Sequence, residues 1–181
     1  MKNFLAISGS LKSTSTNTSI LKFIIKLASP TANIELYSGL DDLPHFSPER
    51  DSENAPEAVE NLRKKIKYAD GVIFCTPEYA FNLPGVLKNA LDWCVSSGEF
   101  NEKPVLVLSA SPLNTGGEKA LSSLQMTLTA LGTKQVAAYS IANVNSKLNS
   151  NKEIIDSETI VILEGLLSKL DEFIESYTPE Y

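Results

Sequence analysis

At 181 residues, with 43% hydrophobic and 21% charged residues, the chain has ordinary globular composition and the length of one domain, spanning 1–181, which excludes global disorder. Sixteen Lys and Arg against 22 Asp and Glu give a net charge of -6 with no basic stripe, which argues against a nucleic-acid partner. Two cysteines exclude a disulfide framework, and no apolar run is long enough for a bilayer or a signal core, so a cytoplasmic protein with no membrane partner is expected.

Strand-like and helix-like segments alternate along the chain. Phe4 to Ser8 is a short apolar run ending at Gly9, as a buried strand would. Ile20, Ile24, Leu27 and Ala28 recur at helical spacing, and Pro30 closes that helix. Ile34 to Tyr37 alternates as a second strand. Gly39 to Pro56 is polar and proline-rich, hence a long loop. Val59, Leu62, Ile66 and Ala69 mark a second helix, and Gly71 to Cys75 a third buried strand. A third helix is predicted over Val86 to Ser97, then a strand from Pro104 to Leu108 with proline at its first position. Leu121, Leu124, Leu128 and Leu131 mark a fourth helix, stopped by Gly132. Gln135 to Tyr139 gives a weaker fifth strand, and Asn143 to Asn151 reads as a mobile polar stretch. Ile160, Leu163, Leu167, Leu170 and Ile174 mark the last helix. Such alternation implies an α/β fold with a parallel sheet covered on both faces. Ligands in such folds bind beyond the carboxyl ends of the strands.

Three loops therefore hold the candidate chemistry. After the first strand, eight Ser/Thr hydroxyls lie between Ser8 and Ser19, with one Lys and no acid, and the segment runs into a helix start. Free N–H groups, the helix dipole and hydroxyl donors suit a phosphate there. Neither GxxxxGK[ST] nor GxGxxG is present, and a plain capped turn also fits. After the third strand, Thr76-Pro77-Glu78-Tyr79-Ala80-Phe81-Asn82-Leu83-Pro84-Gly85 is stiffened by proline and suits the edge of a flat heteroaromatic ring, although Tyr79 and Phe81 also fit plain packing or subunit contact. After the fourth strand, Ser109 to Gly117 is a small-residue run that lets backbone N–H groups approach a ligand. His45 is the only histidine; GxSxG is absent, and one His with two separated Cys is too few for a metal site.

Gly9-Ser10-Leu11-Lys12 with Ser15 and Asn17 resembles the GSLRxxSxN loop of the NADPH-dependent FMN reductase family. Thr76-Pro77-Glu78-Tyr79 with Leu83-Pro84-Gly85-Val86-Leu87-Lys88-Asn89-Ala90-Leu91-Asp92-Trp93 is similar to its TPEYNxSxPGxLKNAIDW signature. The resemblance implies a flavodoxin-like three-layer sandwich with strand order 2-1-3-4-5. It implies FMN as cofactor, NADPH or NADH as donor, and hydride passed through flavin N5 to FMN, a quinone, an azo compound or a similar small-molecule acceptor. No catalytic side chain is then demanded. It also implies that Ser10, Lys12, Ser15, Thr16 and Asn17 hold the FMN phosphate, that Pro77, Glu78, Tyr79 and Ala80 line the ring edge, largely through backbone, and that Ser111 and Gly116 serve its pyrimidine end. A homodimer or homotetramer is implied as well, with His45 and Phe46 near a partner's flavin. Lys12 stands where the family has Arg, keeping the charge but losing the planar fork, and Ala80 stands where it has Asn. A flavodoxin-type electron carrier and an FMN-binding redox sensor are the alternatives on the same fold.

Overall fold

The computed structural model describes residues 1–51 and 55–177. Five strands, β1 (Lys2–Ser8), β2 (Ala32–Tyr37), β3 (Gly71–Thr76), β4 (Pro104–Ala110) and β5 (Lys134–Ile141), pair in parallel in the order β2-β1-β3-β4-β5. The helices are α1 (Thr16–Leu27), α2 (Glu57–Tyr68), α3 (Gly85–Asp92), α4 (Glu118–Ala130) and α5 (Ser157–Ser176).

Alternation along the central strands builds two cores. Leu5, Ile7, Val72, Phe74, Val105 and Val107 face α2, α3 and α4, which contribute Leu62, Leu87 and Leu124. Phe4, Ala6, Ile73, Cys75, Leu106 and Leu108 face α1 and α5, which contribute Ile20, Ile24, Leu163 and Leu170. Every residue of β3 and β4 is therefore buried, and both strands read as continuous apolar runs. The edge strand β5 is only half-buried and bulges at Val136, where the register to β4 shifts between Val105 and Leu106. This is the three-layer sandwich that the alternation and the resemblance implied. The chain turns one way from β1 to β2 and the other way from β2 to β3, so the ends of β1 and β3 form a topological switch point.

Two segments differ from the sequence reading. α3 ends at Asp92 rather than at Ser97. The carbonyl of Trp93 accepts Nε and Nη2 of Arg63 at 3.0 and 2.5 Å, and from Cys94 on the backbone continues in tighter turns, Cys94 N–H to Leu91 and Val95 N–H to Asp92. The polar stretch from Asn143 is anchored: Val144 is buried at 2% exposure, Val144–Lys147 form a short 3₁₀ turn, and Leu148 pairs with Ile154.

The long loop after β2 is docked as well. Trp93 Nε1 and Asn89 Nδ2 donate to the Pro44 carbonyl at 2.8 and 3.0 Å, and Phe46 N–H donates to Asn89 Oδ1 at 2.8 Å. Phe46 meets Trp93 edge-on at 5.1 Å. Asp51 pairs with Arg63 at 2.7 Å, largely out of solvent, and also accepts from Ser96 Oγ at 2.6 Å. The hydrogen bond from Ser96 and then the one from Arg63 hold the Asp51 carboxyl below its usual range. Asn89 and Trp93 of the LKNALDW segment therefore hold this loop. Part of the loop, residues 52–54, lies outside the described residues.

Candidate functional site

The loop after β1 folds back on its own hydroxyls. Gly9 N–H donates to the Cys75 carbonyl at 2.9 Å, and a Cβ at Gly9 would lie 2.6 Å from Thr76 Oγ1, so the loop presses on β3 where only glycine fits. Ser8 Oγ meets Thr18 Oγ1 at 2.8 Å, and Ser10 Oγ accepts from Lys12 N–H at 3.3 Å. Ser15 caps α1, accepting from Thr18 N–H at 3.4 Å. No acid lies in the first turn. Among the described residues the N–H groups of Thr16 and Asn17 have no partner, and the exposed Lys12 makes no ion pair.

Asn17 is 4% exposed, and its amide is already engaged. Its Oδ1 accepts from the Cys75 thiol at 3.2 Å, and its Nδ2 donates to the Ala110 carbonyl at 3.5 Å. This side chain ties the start of α1 to β3 and β4, and what it offers a ligand is its N–H. Burial pushes both thiols up, Cys94 to about 12 and Cys75 further, so neither is a nucleophile at neutral pH.

The loop after β3 closes in a two-residue turn. Tyr79 and Asn82 exchange both N–H···O bonds at 3.0 Å, with Ala80 and Phe81 between them at φ 49° and 61°. Two positive φ angles make a type I′ turn, which ordinarily takes Asn-Gly; alanine and phenylalanine hold it under strain. Tyr79 N–H is spent in the turn, while the N–H groups of Glu78 and Ala80 have no partner among the described residues. The Glu78 carboxylate turns away and accepts from Lys119 and Ala120 N–H.

These loops enclose a cavity of about 220 Å³. Of the residues expected at the site, Ser10, Lys12, Ser15, Thr16, Asn17, Pro77, Glu78, Tyr79 and Ser111 line it. Ala80 and Gly116 do not. Ala80 sits at the exposed tip of the turn. Gly116, at φ 63°, donates its N–H to Leu113 and packs so tightly on the end of β5 that a Cβ would lie 2.9 Å from Ala142 N. Ser111 offers its hydroxyl rather than its backbone, because its N–H donates to Ile141. His45 is exposed, outside the cavity, and Phe46 is packed on Trp93. Sequence reasoning missed Thr14, Ala110, Pro112 and Val144. Three of these adjoin residues it named; the only signal for Val144 was a lone apolar residue in a polar stretch.

The donor set fits FMN. Orphan N–H groups, hydroxyls and one lysine converge without an acid at the start of α1, as a phosphate requires. The Glu78 N–H beside Tyr79 matches the polar edge and one face of a flat ring.

Comparison with known proteins agrees. Residues 2–146 match the NADPH-dependent FMN reductase family. The chain is 35% identical to the NADH:(hydroxy)cinnamate reductase subunit CrdA of Vibrio ruber, covering 97% of this chain and 85% of that one. It is 32% identical to the NAD(P)H-dependent FMN reductase PA1204 of Pseudomonas aeruginosa, over 92% of this chain and 91% of that one. Among solved structures, the flavoenzyme NAD(P)H:(acceptor) oxidoreductase FerB of Paracoccus denitrificans superposes with a TM-score of 0.83 at 29% identity, covering 97% of this chain and 98% of that one.

Proposed function

Because the chain belongs to the NADPH-dependent FMN reductase family and is an oxidoreductase working with FMN and NAD(P)H, we propose that its reaction runs in two halves at the cavity beside the start of α1. NAD(P)H is oxidised in the first, and a small acceptor such as FMN, a quinone or an azo compound is reduced in the second. Bound FMN supplies the hydride chemistry of both halves at its N5 atom. The chain binds, orients and shields.

Ser10, Lys12, Ser15, Thr16 and Asn17 hold the phosphate, Thr16 and Asn17 through their N–H groups. Pro77, Glu78 and Tyr79 border the ring, Glu78 by a backbone donor, and Ala80 shapes the turn beside them. Ser111 offers a hydroxyl, and Gly116 supports the loop behind it. The observation that carries this reading is the start of α1, where two N–H groups and a lysine without partners among the described residues meet a hydroxyl-rich loop, with no acid in the first turn.

We read the chain as one domain working in the cytoplasm as a homodimer or homotetramer. Leu11, Tyr79, Phe81 and Leu113, all exposed on the three loops around the cavity, support a covered rim. Among the described residues no helix is long and apolar enough to cross a membrane.

The test is anaerobic mixing of FMN-loaded protein with NADPH and with NADH, followed by flavin absorbance. Bleaching by at least one nucleotide, and recovery of colour on adding a quinone, is the expected result. A bound flavin that neither nucleotide bleaches would point to the carrier or the sensor and overturn the reductase.

A further inference from the structure

Helix α4 begins without a side-chain cap of its own. Its N-cap is Gly117, at φ 83°, which offers no acceptor to the first-turn N–H groups. Those groups are met from another loop. Glu78, 41 residues earlier, brings Oε2 to 2.9 Å from Lys119 N and 3.1 Å from Ala120 N. A carboxylate at a helix N-terminus is favoured by the dipole, and hydrogen bonds to an ionised acceptor are stronger than neutral ones. The packing is close as well, since a Cβ at Gly117 would touch Glu78 Cβ at 3.5 Å.

The bond joins two walls of one cavity. Pro77, Glu78 and Tyr79 form one wall, and Ala110 at the end of β4 with Ser111 and Pro112, on the loop that leads into α4, form another. We propose that Glu78 is a positioning residue whose carboxylate fixes the spacing of these walls, so that the Glu78 N–H group and the Ser111 hydroxyl stand where a flat ring meets both. This rests on reading the cavity as the FMN site. The carboxylate is therefore not a proton donor or acceptor in the reaction. Its reach matters more than its charge, because a shorter acid cannot keep its place in the loop after β3 and still meet the helix.

Three variants separate reach from charge. Glu78→Gln keeps an acceptor at full length, Glu78→Asp keeps the charge one methylene short, and Glu78→Ala removes both. FMN affinity is measured by fluorescence titration well below each variant's melting temperature, and hydrogen exchange at the Lys119 and Ala120 amides is measured without FMN. The glutamine variant is expected to stay within about threefold of wild type in both, whereas the aspartate and alanine variants bind FMN about tenfold more weakly and exchange these amides at least about tenfold faster. Faster exchange with unchanged FMN affinity would make Glu78 a plain helix cap and overturn the positioning role. Normal binding by the aspartate variant with loss in the glutamine variant would overturn it in favour of charge. If alanine prevents folding, the glutamine–aspartate pair decides alone. Wild-type protein that binds no FMN would instead overturn the site reading, and the positioning role with it.

Discussion

Helices α1 and α5 both begin at the carboxyl end of the sheet, yet their first turns are filled in opposite ways. At α5 the Asp156 carboxylate accepts from Thr159 N–H at 3.0 Å, Thr159 Oγ1 at 2.5 Å and Lys147 Nζ at 3.1 Å. At α1 a neutral hydroxyl, Ser15, meets one N–H, and the Thr16 and Asn17 N–H groups and the Lys12 ammonium are left unmatched among the described residues. One helix end is neutralised from within the chain; the other keeps its positive character for an anion from outside. Chemistry here follows unsatisfied donors rather than volume. A larger cavity of about 450 Å³ lies at the other end of the sheet, but Lys103 there donates to the Ala69 and Lys67 carbonyls, and Glu102 meets Lys134 and Tyr177.

The sharpest way to break the contrast is to give α1 what α5 already has. Ser15→Asp is expected to weaken FMN binding by about 100-fold or more, because a carboxylate then faces a phosphate at close range. Aspartate caps a helix as well as serine, so melting should stay within about 2 °C of wild type. Fluorescence titration and a thermal scan check both halves, and unchanged FMN content in this variant would refute the phosphate assignment.

Removing the unmatched cation is milder. Lys12→Ala should cost about tenfold in FMN affinity at low ionic strength and less as salt screens the exposed charge. Titrations at two salt concentrations read this directly, and a loss that does not shrink with salt would argue against a charge contact.

The filled helix end should respond to acid rather than to flavin. The Thr159 hydroxyl first, then its N–H, then Lys147, draw the Asp156 carboxyl from its ordinary 3.8 down to about 2. A group held low when folded takes up its proton sooner when unfolded. Its stabilisation is present above the ordinary value and lost as pH falls through about 2. Melting temperature followed from neutral to acid pH should fall more steeply over that window in wild type than in Asp156→Asn. FMN affinity at neutral pH should match in the two proteins, and equal slopes would contradict the pairing.

Least in size is the turn beside the site. Ala80→Gly relieves a left-handed alanine at φ 49° and is expected to stabilise the chain by about 0.5–1 kcal/mol, about 2 °C in melting temperature. A thermal scan that shows destabilisation would mean the turn is not strained.

Much of this was legible in residue order. The apolar runs of β3 and β4 stand out because both faces are buried, and the acid-free hydroxyl loop announces an anion site through local chemistry alone. What could not be read are the ties between distant residues. Nothing near Asn17 says that its amide meets Cys75 and Ala110, and nothing near Glu78 says that it caps α4. The early end of α3 has the same origin, since Arg63 takes the Trp93 carbonyl from another helix. Ser111 and Gly116 looked like backbone donors because small residues permit close approach, but their N–H groups serve Ile141 and Leu113.

The phosphate claim has a direct measurement in the unmodified protein, a parallel titration with FMN and with riboflavin, which differ only in the phosphate. A site built on the start of α1 predicts that FMN binds at least about 100-fold more tightly, with the gap narrowing in high salt. Equal affinity for the two flavins would show that the phosphate contributes nothing and would contradict the account.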